Sequence, residues 1–536
     1  MKANSTLPAL VIASFPSLGL CVNPLVNVTY SQYIGQPLAS GITQWLGIRY
    51  AAPPLGNLRF APPQDPPFEA TPQAANKNGK FCLKTNGDPN TKATSEDCLF
   101  LDVYAPSNAT ARSKLPVFVF IQGGGFNSNS DPNINGSGLI AASNNSVVFV
   151  TFNYRVGPYG FLTDGENTTA NNGLRDQRKV LEWVQKYIAR FGGDPDHVVI
   201  GGASAGAASI SLHMVANGGK DRGLFHAAAA ESVAFPTVLT VNESRYQYDN
   251  LATRMGCVGN DTLSCLRSKT SRQLQKKNTN IPYPGSSKPP LYMWNPVIDD
   301  DFLMELPHTS FRDGNFIKVP AIFGDDTNGG TIFAPCKTST KGESNQFIKD
   351  QFPYITAKQL EKLNELYPNP AQDLCPQSGC WWRQASNVYG EMRYMCPGFF
   401  INTELVRNGV NASYSYRWNV EDAKQMADGL GVPHTAEVDA LFGPYNVRGP
   451  APGSYYPNGT NAHAVPVIQG YWVSFIKTFN PNEYRCCGSA EWKPWTEKLG
   501  QRLRFDTGGE TSMESLDAGL KGRCEYLDSI AVDLHQ

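Results

Sequence analysis

Three places in this chain bring together residue types that nucleophilic catalysis needs. The first is Gly202–Ala203–Ser204–Ala205–Gly206, a G-x-S-x-G. A serine held in a sharp turn between strand and helix presents its hydroxyl for attack on a carbonyl carbon. The flanking glycines let two backbones approach where a Cβ would collide. Composition alone yields the pattern about one time in five in a chain this long, so its surroundings decide. His197 to Ile200 forms a β-branched run that reads as a buried strand, and Ala205 to Ser209 is Ala-rich and able to start a helix. The second place is Gly123–Gly124–Gly125, directly after the apolar run Leu115 to Ile121. A flexible turn rarely needs three glycines, whereas an oxyanion needs bare backbone N–H donors that can approach it closely.

The third place is the base. A serine nucleophile needs one to remove its proton, and the chain has seven histidines. His197 and His213 fall in the strand and helix around Ser204 and read as packing residues. His226 opens another strand-like run, His308 precedes an acidic loop, and His535 lies at the C-terminal end. His434 and His463 remain. His434 lies in Gly431–Val432–Pro433–His434–Thr435, a Gly/Pro loop after the last strand-like run, and is the preferred base.

Positioning these groups requires a sheet. Leu99 to Tyr104, Leu115 to Ile121, Ser146 to Phe152, His226 to Ser232, Val319 to Gly324 and Ala412 to Asn419 read as strands. Leu174 to Ile188 reads as an amphipathic helix, with Leu181, Val184 and Ile188 on one face. Strands alternating with helices imply a mostly parallel sheet.

Charge and composition bound the rest. The net charge is −1, with no long basic run, so a nucleic-acid partner is not expected. The apolar stretch Ala9 to Val22, interrupted by Pro16, is too short to span a bilayer and reads as a secretory leader over residues 1–21. Residues 22–536 then form one large domain. Twelve cysteines and N-x-S/T sequons at Asn27, Asn108, Asn135, Asn144, Asn167, Asn242, Asn260, Asn411 and Asn458 agree with the secretory route.

Several stretches jointly resemble the type-B carboxylesterase/lipase family, the cholinesterase-like branch of the α/β-hydrolases, and most of all its secreted fungal members. They are Gly47 to Phe60, Glu96 to Tyr104, the triple glycine, Asn153–Tyr154–Arg155–Val156–Gly157, the G-x-S-x-G, and the His434 loop through Leu441–Phe442–Gly443. The resemblance implies an α/β-hydrolase fold, with a mostly parallel central sheet flanked by helices. It implies Ser204 as nucleophile, His434 as base, and oxyanion donors from the backbone of Gly124, Gly125 and Ala205. It implies disulfides Cys82–Cys98 and Cys257–Cys265, a small-molecule ester or natural-product substrate, and no cofactor or metal. The first bridged loop is short here, which favours open esterase-like access over a long lipase lid.

Two departures from the family pattern stand out. Family members usually carry Glu before the nucleophile; this chain has Ala203. The triad acid normally sits in Asn-Glu-Gly-Thr, and this chain reads Asn328–Gly329–Gly330–Thr331. Gly329 has no side chain, so the acid is missing at its expected place, and Asp325 and Asp326 are the nearby substitutes. Three readings follow. One is a serine carboxylesterase with a degenerate or relocated acid. Another is a hydrolase pocket turned to acyl transfer, lactonisation, cyclisation or dimerisation of a natural product. The last is a cholinesterase-like binding protein without catalysis, against which the retained Ser204, His434 and triple glycine argue.

Overall fold

The structure, a computed structural model, describes residues 24–130, 132–370 and 379–536. The leader expected over residues 1–21 lies outside the described residues.

The central sheet has eleven strands. In chain order they are β1 (Gln36–Pro37), β2 (Ile42–Arg49), β3 (Phe100–Pro106), β4 (Leu115–Ile121), β5 (Val148–Phe152), β6 (Gly193–Ala203), β7 (Ala227–Glu231), β8 (Ala321–Asp326), β9 (Ser413–Asn419), β10 (Gln501–Asp506) and β11 (Thr511–Ser515). In space they run β11-β10-β9-β8-β7-β6-β4-β5-β3-β2-β1. From β5 through β4, β6, β7, β8 and β9 to β10 every pairing is parallel. Antiparallel pairs occur toward the two edges, as in β2 with β3 and β10 with β11.

Both faces of the sheet are covered, and the strands show why. Along β4, Val117, Val119 and Ile121 enter one apolar cluster while Phe118 and Phe120 enter the other. Along β7, Ala228 and Ala230 face the first cluster and Ala227 and Ala229 the second. A strand buried on both sides reads as a continuous apolar run, which made these segments legible. The helices that matter for the site are α1 (Asn172–Tyr187), α2 (Ala205–Gly219), α3 (Cys380–Gly390), α4 (Cys396–Arg407), α5 (Ala436–Phe442), α6 (Ala464–Thr478) and α7 (Ala518–Ile530). A π-helical turn, Glu391–Met395, joins α3 to α4.

Disulfides join Cys82 to Cys98 and Cys257 to Cys265 across separations of 16 and 8 residues. A further bridge, Cys396–Cys524, closes 128 residues and ties α4 to α7. The two short bridges are local loop closures, worth about 3 and about 2.5 kcal/mol in the chain-entropy model. Peptide mapping without reductant should recover both pairs, and free thiol at Cys82 and Cys98 in the purified protein would contradict this. Asn27, Asn108, Asn144, Asn167, Asn242, Asn260, Asn411 and Asn458 are exposed, and Asn135 is half-buried. No helix among the described residues is long and apolar enough to cross a membrane.

Candidate active site

Ser204 stands at the turn between β6 and α2, with φ 58° and ψ −121°. A non-glycine residue rarely adopts such a backbone, and surrounding structure must hold it there. A Cβ on Gly202 would lie 2.8 Å from Gly206 C and from Ile121 O, and one on Gly206 would lie 1.9 Å from Ile121 O. Only glycine therefore permits β6, α2 and the end of β4 to meet at this turn. The Ser204 N–H donates to Glu231 O at 3.0 Å, which fastens the turn to the end of β7.

The triple glycine backs onto the same turn. A Cβ on Gly123 would come within 2.9 Å of Ser204 Cβ. Gly124 and Gly125 have φ of 111° and 60°. Their N–H groups donate to no described residue, and the N–H of Ala205, at the first position of α2, has no acceptor within its own helix. These amides are thus left without a hydrogen-bond acceptor among the described residues.

His434 reaches this end of the sheet on the loop before α5. Thr435 N donates to Asp326 at 2.8 Å and lies 3.3 Å from Ser232 Oγ, one residue beyond the strand that holds Ser204 N. Val432 N donates to Asn328 Oδ1 at 3.0 Å, and Asn328 N to Val432 O at 2.8 Å, which binds the Gly329 loop to the His434 loop. The imidazole is 6% exposed and packs on Tyr394, with ring centres 4.1 Å apart. Neither ring nitrogen has a hydrogen-bond partner. Burial, and then the charge of Arg393, push its pKa down to about 3. Burial thus favours the neutral ring, and no carboxylate among the described residues is hydrogen-bonded to it. Other histidines are engaged or exposed: His213 bonds Gln177, His226 accepts from Val198 N, His308 pairs with Asp528, and His463 is exposed at the start of α6.

Neither Asp325 nor Asp326 is hydrogen-bonded to the His434 ring. They end strand β8 rather than sitting on the loop after it. Asp325 points to Arg502, 3.5 Å away, and burial raises its pKa to about 7. Asp326 is spent on Ser232 and Thr435 N, with Glu437 facing it. Gly329 itself is open: an added Cβ would meet nothing nearer than Asp326 O at 3.7 Å and Tyr394 Cδ2 at 3.8 Å, and its φ is outside the left-handed range.

Behind the turn, Asp326 is joined by two buried carboxyls the sequence did not announce, Glu231 and Glu437. Glu231 accepts from Gly202 N at 3.0 Å and from Trp472 Nε1 at 2.6 Å. Glu437 Oε1 accepts from Tyr416 OH at 2.8 Å and lies 2.9 Å from Ser232 Oγ, which also reaches Asp326. One hydroxyl proton cannot serve both carboxyls. Burial holds all three pKa values above the ordinary range, and at Asp326 the facing Glu437 adds to it. Ala203, the residue before Ser204, is paired in register with Glu231.

Comparison with known proteins identifies the family. The Carboxylesterase family model matches residues 23–521. Secreted lipase 4 of Gibberella zeae is 31% identical over 494 residues, covering 87% of this chain and 84% of the relative. Lipase 1 of Geotrichum candidum is 30% identical over 578 residues, covering 95% and 96%. The crystal structure of Aspergillus niger EstA superposes with a TM-score of 0.93 at 41% identity, covering 96% of this chain and 99% of that one. The strained serine turn, the triple glycine and a match along nearly the whole chain lead to one conclusion: this protein belongs to the carboxylesterase family and is a carboxylic-ester hydrolase.

Proposed function

We propose that the hydrolysis runs through an acyl-enzyme on Ser204, with His434 as base, with the amides of Gly124, Gly125 and Ala205 as oxyanion donors, and without a triad acid. The observation that carries this is the backbone of Ser204, held at φ 58° by glycines no other residue could replace. Ser204 Oγ bonds to the ester carbonyl carbon, and its proton passes to His434 Nε2. As the tetrahedral intermediate collapses, the ester C–O bond breaks and that proton goes to the leaving alkoxide. Water, deprotonated by the same ring, then attacks the acyl group, releasing the carboxylic acid and restoring the serine. The three amides meet the negative charge on the carbonyl oxygen in both steps. An organophosphonate should label Ser204, and His434→Ala should slow that labelling at least about tenfold. Labelling unchanged in His434→Ala but lost in His463→Ala would move the base to His463.

A second reading is favoured by the bare imidazole. In serine proteases, loss of the acid costs about 10⁴ in kcat while nucleophile and oxyanion hole remain. A site so weakened against water suits transfer of the acyl group to a better acceptor, or lactonisation within one molecule. Secretion is part of the proposal: the leader over residues 1–21, the surface sequons and the name of the Gibberella zeae relative support it.

A further inference from the structure

Four arginines are buried among the described residues: Arg59, Arg155, Arg393 and Arg502. Three meet carboxylates, Arg59 on Glu96 at 2.8 Å, Arg155 on Asp176 at 2.7 Å and Arg502 on Glu514 at 2.7 Å. Arg393 does not. It is 5% exposed, its Nε has no hydrogen-bond partner, and it forms no ion pair with any described residue. The groups that bear most on its charge are the hydroxyls of Tyr389, Tyr394, Tyr292 and Tyr283. Its guanidinium carbon lies 5.5 Å from the ring centre of Tyr292 and 5.8 Å from that of Tyr389, whose hydroxyl is also unpartnered. Ring faces attract a cation but leave its N–H fork unused. A buried cation without an anion is costly, and something must repay it.

Its place in the fold points to what does. Arg393 is carried on the π-helical turn between α3 and α4, a rare geometry that concentrates at functional sites. The next residue, Tyr394, packs on His434. Tyr292, under the guanidinium, fills the space a Cβ on Gly125 would enter, 2.1 Å from its Cδ1. The unpaired cation thus adjoins the ring that packs against Gly125, and its charge reaches His434.

We propose that Arg393, framed by Tyr292 and Tyr389, is a carboxylate-recognising subsite of this active site, and that the natural ester carries a second, ionised carboxyl group. The proposal rests on the hydrolase reading above. A planar carboxylate matches the guanidinium fork with two parallel hydrogen bonds, which an ammonium could not offer. The same anion answers the missing acid. The charge of Arg393 opposes protonation of His434, and a carboxylate seated on it cancels that opposition. The substrate then supplies part of what Gly329 lacks.

The test compares 4-nitrophenyl hydrogen adipate with its methyl-capped counterpart, each corrected by Ser204→Ala. The acid should be favoured in kcat/KM by at least about tenfold. Arg393→Met should bring the two esters together, with both a higher KM and a lower kcat on the acid, and Arg393→Lys should keep part of the preference. Adipate itself should bind Ser204→Ala in calorimetry and fail to bind the double variant with Arg393→Met. Equal rates on the two esters with no adipate binding would overturn the subsite and leave the hydrolase reading intact. Adipate binding that depends on Arg393, without Ser204-dependent turnover of either ester, would uphold the subsite and sink the hydrolase reading. Should Arg393→Met fail to fold, the wild-type ratio and Arg393→Lys decide alone.

Discussion

Gly329→Glu raises esterase kcat/KM on a small activated ester by at least about tenfold, or ~1.4 kcal/mol. The bare imidazole of His434 is the cause. Its pKa is pushed down to about 3, so it accepts the Ser204 proton poorly. A carboxylate alongside favours the imidazolium and raises that pKa, since an opposite charge stabilises the charged form. The backbone allows it, because a Cβ at 329 makes only ordinary contacts. The gain stays well below 10⁴, the whole value of a native acid, because a grafted glutamate lacks its own supporting hydrogen bonds. Tyr394 limits it further: its ring lies 3.8 Å from the new Cβ and covers the imidazole, so Gly329→Glu with Tyr394→Val should exceed Gly329→Glu alone. The pH profile gives an independent readout. Phosphonate labelling of the parent should show no His434 inflection between about pH 5 and about pH 8, and the variant should lose rate at the acid end as its histidine begins to protonate. Asp325→Asn and Asp326→Asn in the parent are the controls. Collapse of activity in either, with no effect of Gly329→Glu, would return the acid's role to that aspartate.

The largest stability effect belongs to Cys396–Cys524. Closing 128 residues, it restricts the unfolded chain far more than the two short bridges. The chain-entropy model gives about 5 kcal/mol at this loop length. Replacing both cysteines by serine should lower the melting temperature by about 4 °C, given the unfolding entropy of a chain this long. Unfolding within a degree of the parent would contradict the estimate. Cys396 also opens α4, directly after the turn that carries Arg393 and Tyr394. The same variant should therefore lose activity below its melting point, whereas loss of Cys257–Cys265, remote in sequence from those residues, should not.

What the sequence disclosed follows physical lines. Strand β4 was legible from Leu115 to Ile121 and α1 to within two residues, because apolar runs and a helical stripe signal burial directly. The turn at Ser204 and the triple glycine were legible because close backbone approach demands glycine. Strands β2, β10 and β11 were missed; they lie toward the sheet edges, where mixed sequence such as Gln501–Asp506 carries no continuous apolar signal. The pair Cys396 and Cys524 lies on helices far apart in the chain, and nothing local marks it. Arg393 and Tyr394 escaped for a related reason. A π-helical turn has no signature of its own, and only tertiary packing brings those residues to His434.

The open space at Gly329 has a consequence in the genetic code. Every glycine codon becomes an acidic codon through one change of its middle base, to glutamate from GGA or GGG and to aspartate from GGU or GGC. Nothing in the fold stands between this chain and such a change: the Cβ contacts at Gly329 are ordinary and its backbone is not left-handed. An acidic side chain is one base away, at a position whose backbone leaves room for its Cβ. On the proposed mechanism, then, it is not the backbone at residue 329 that keeps an acid out.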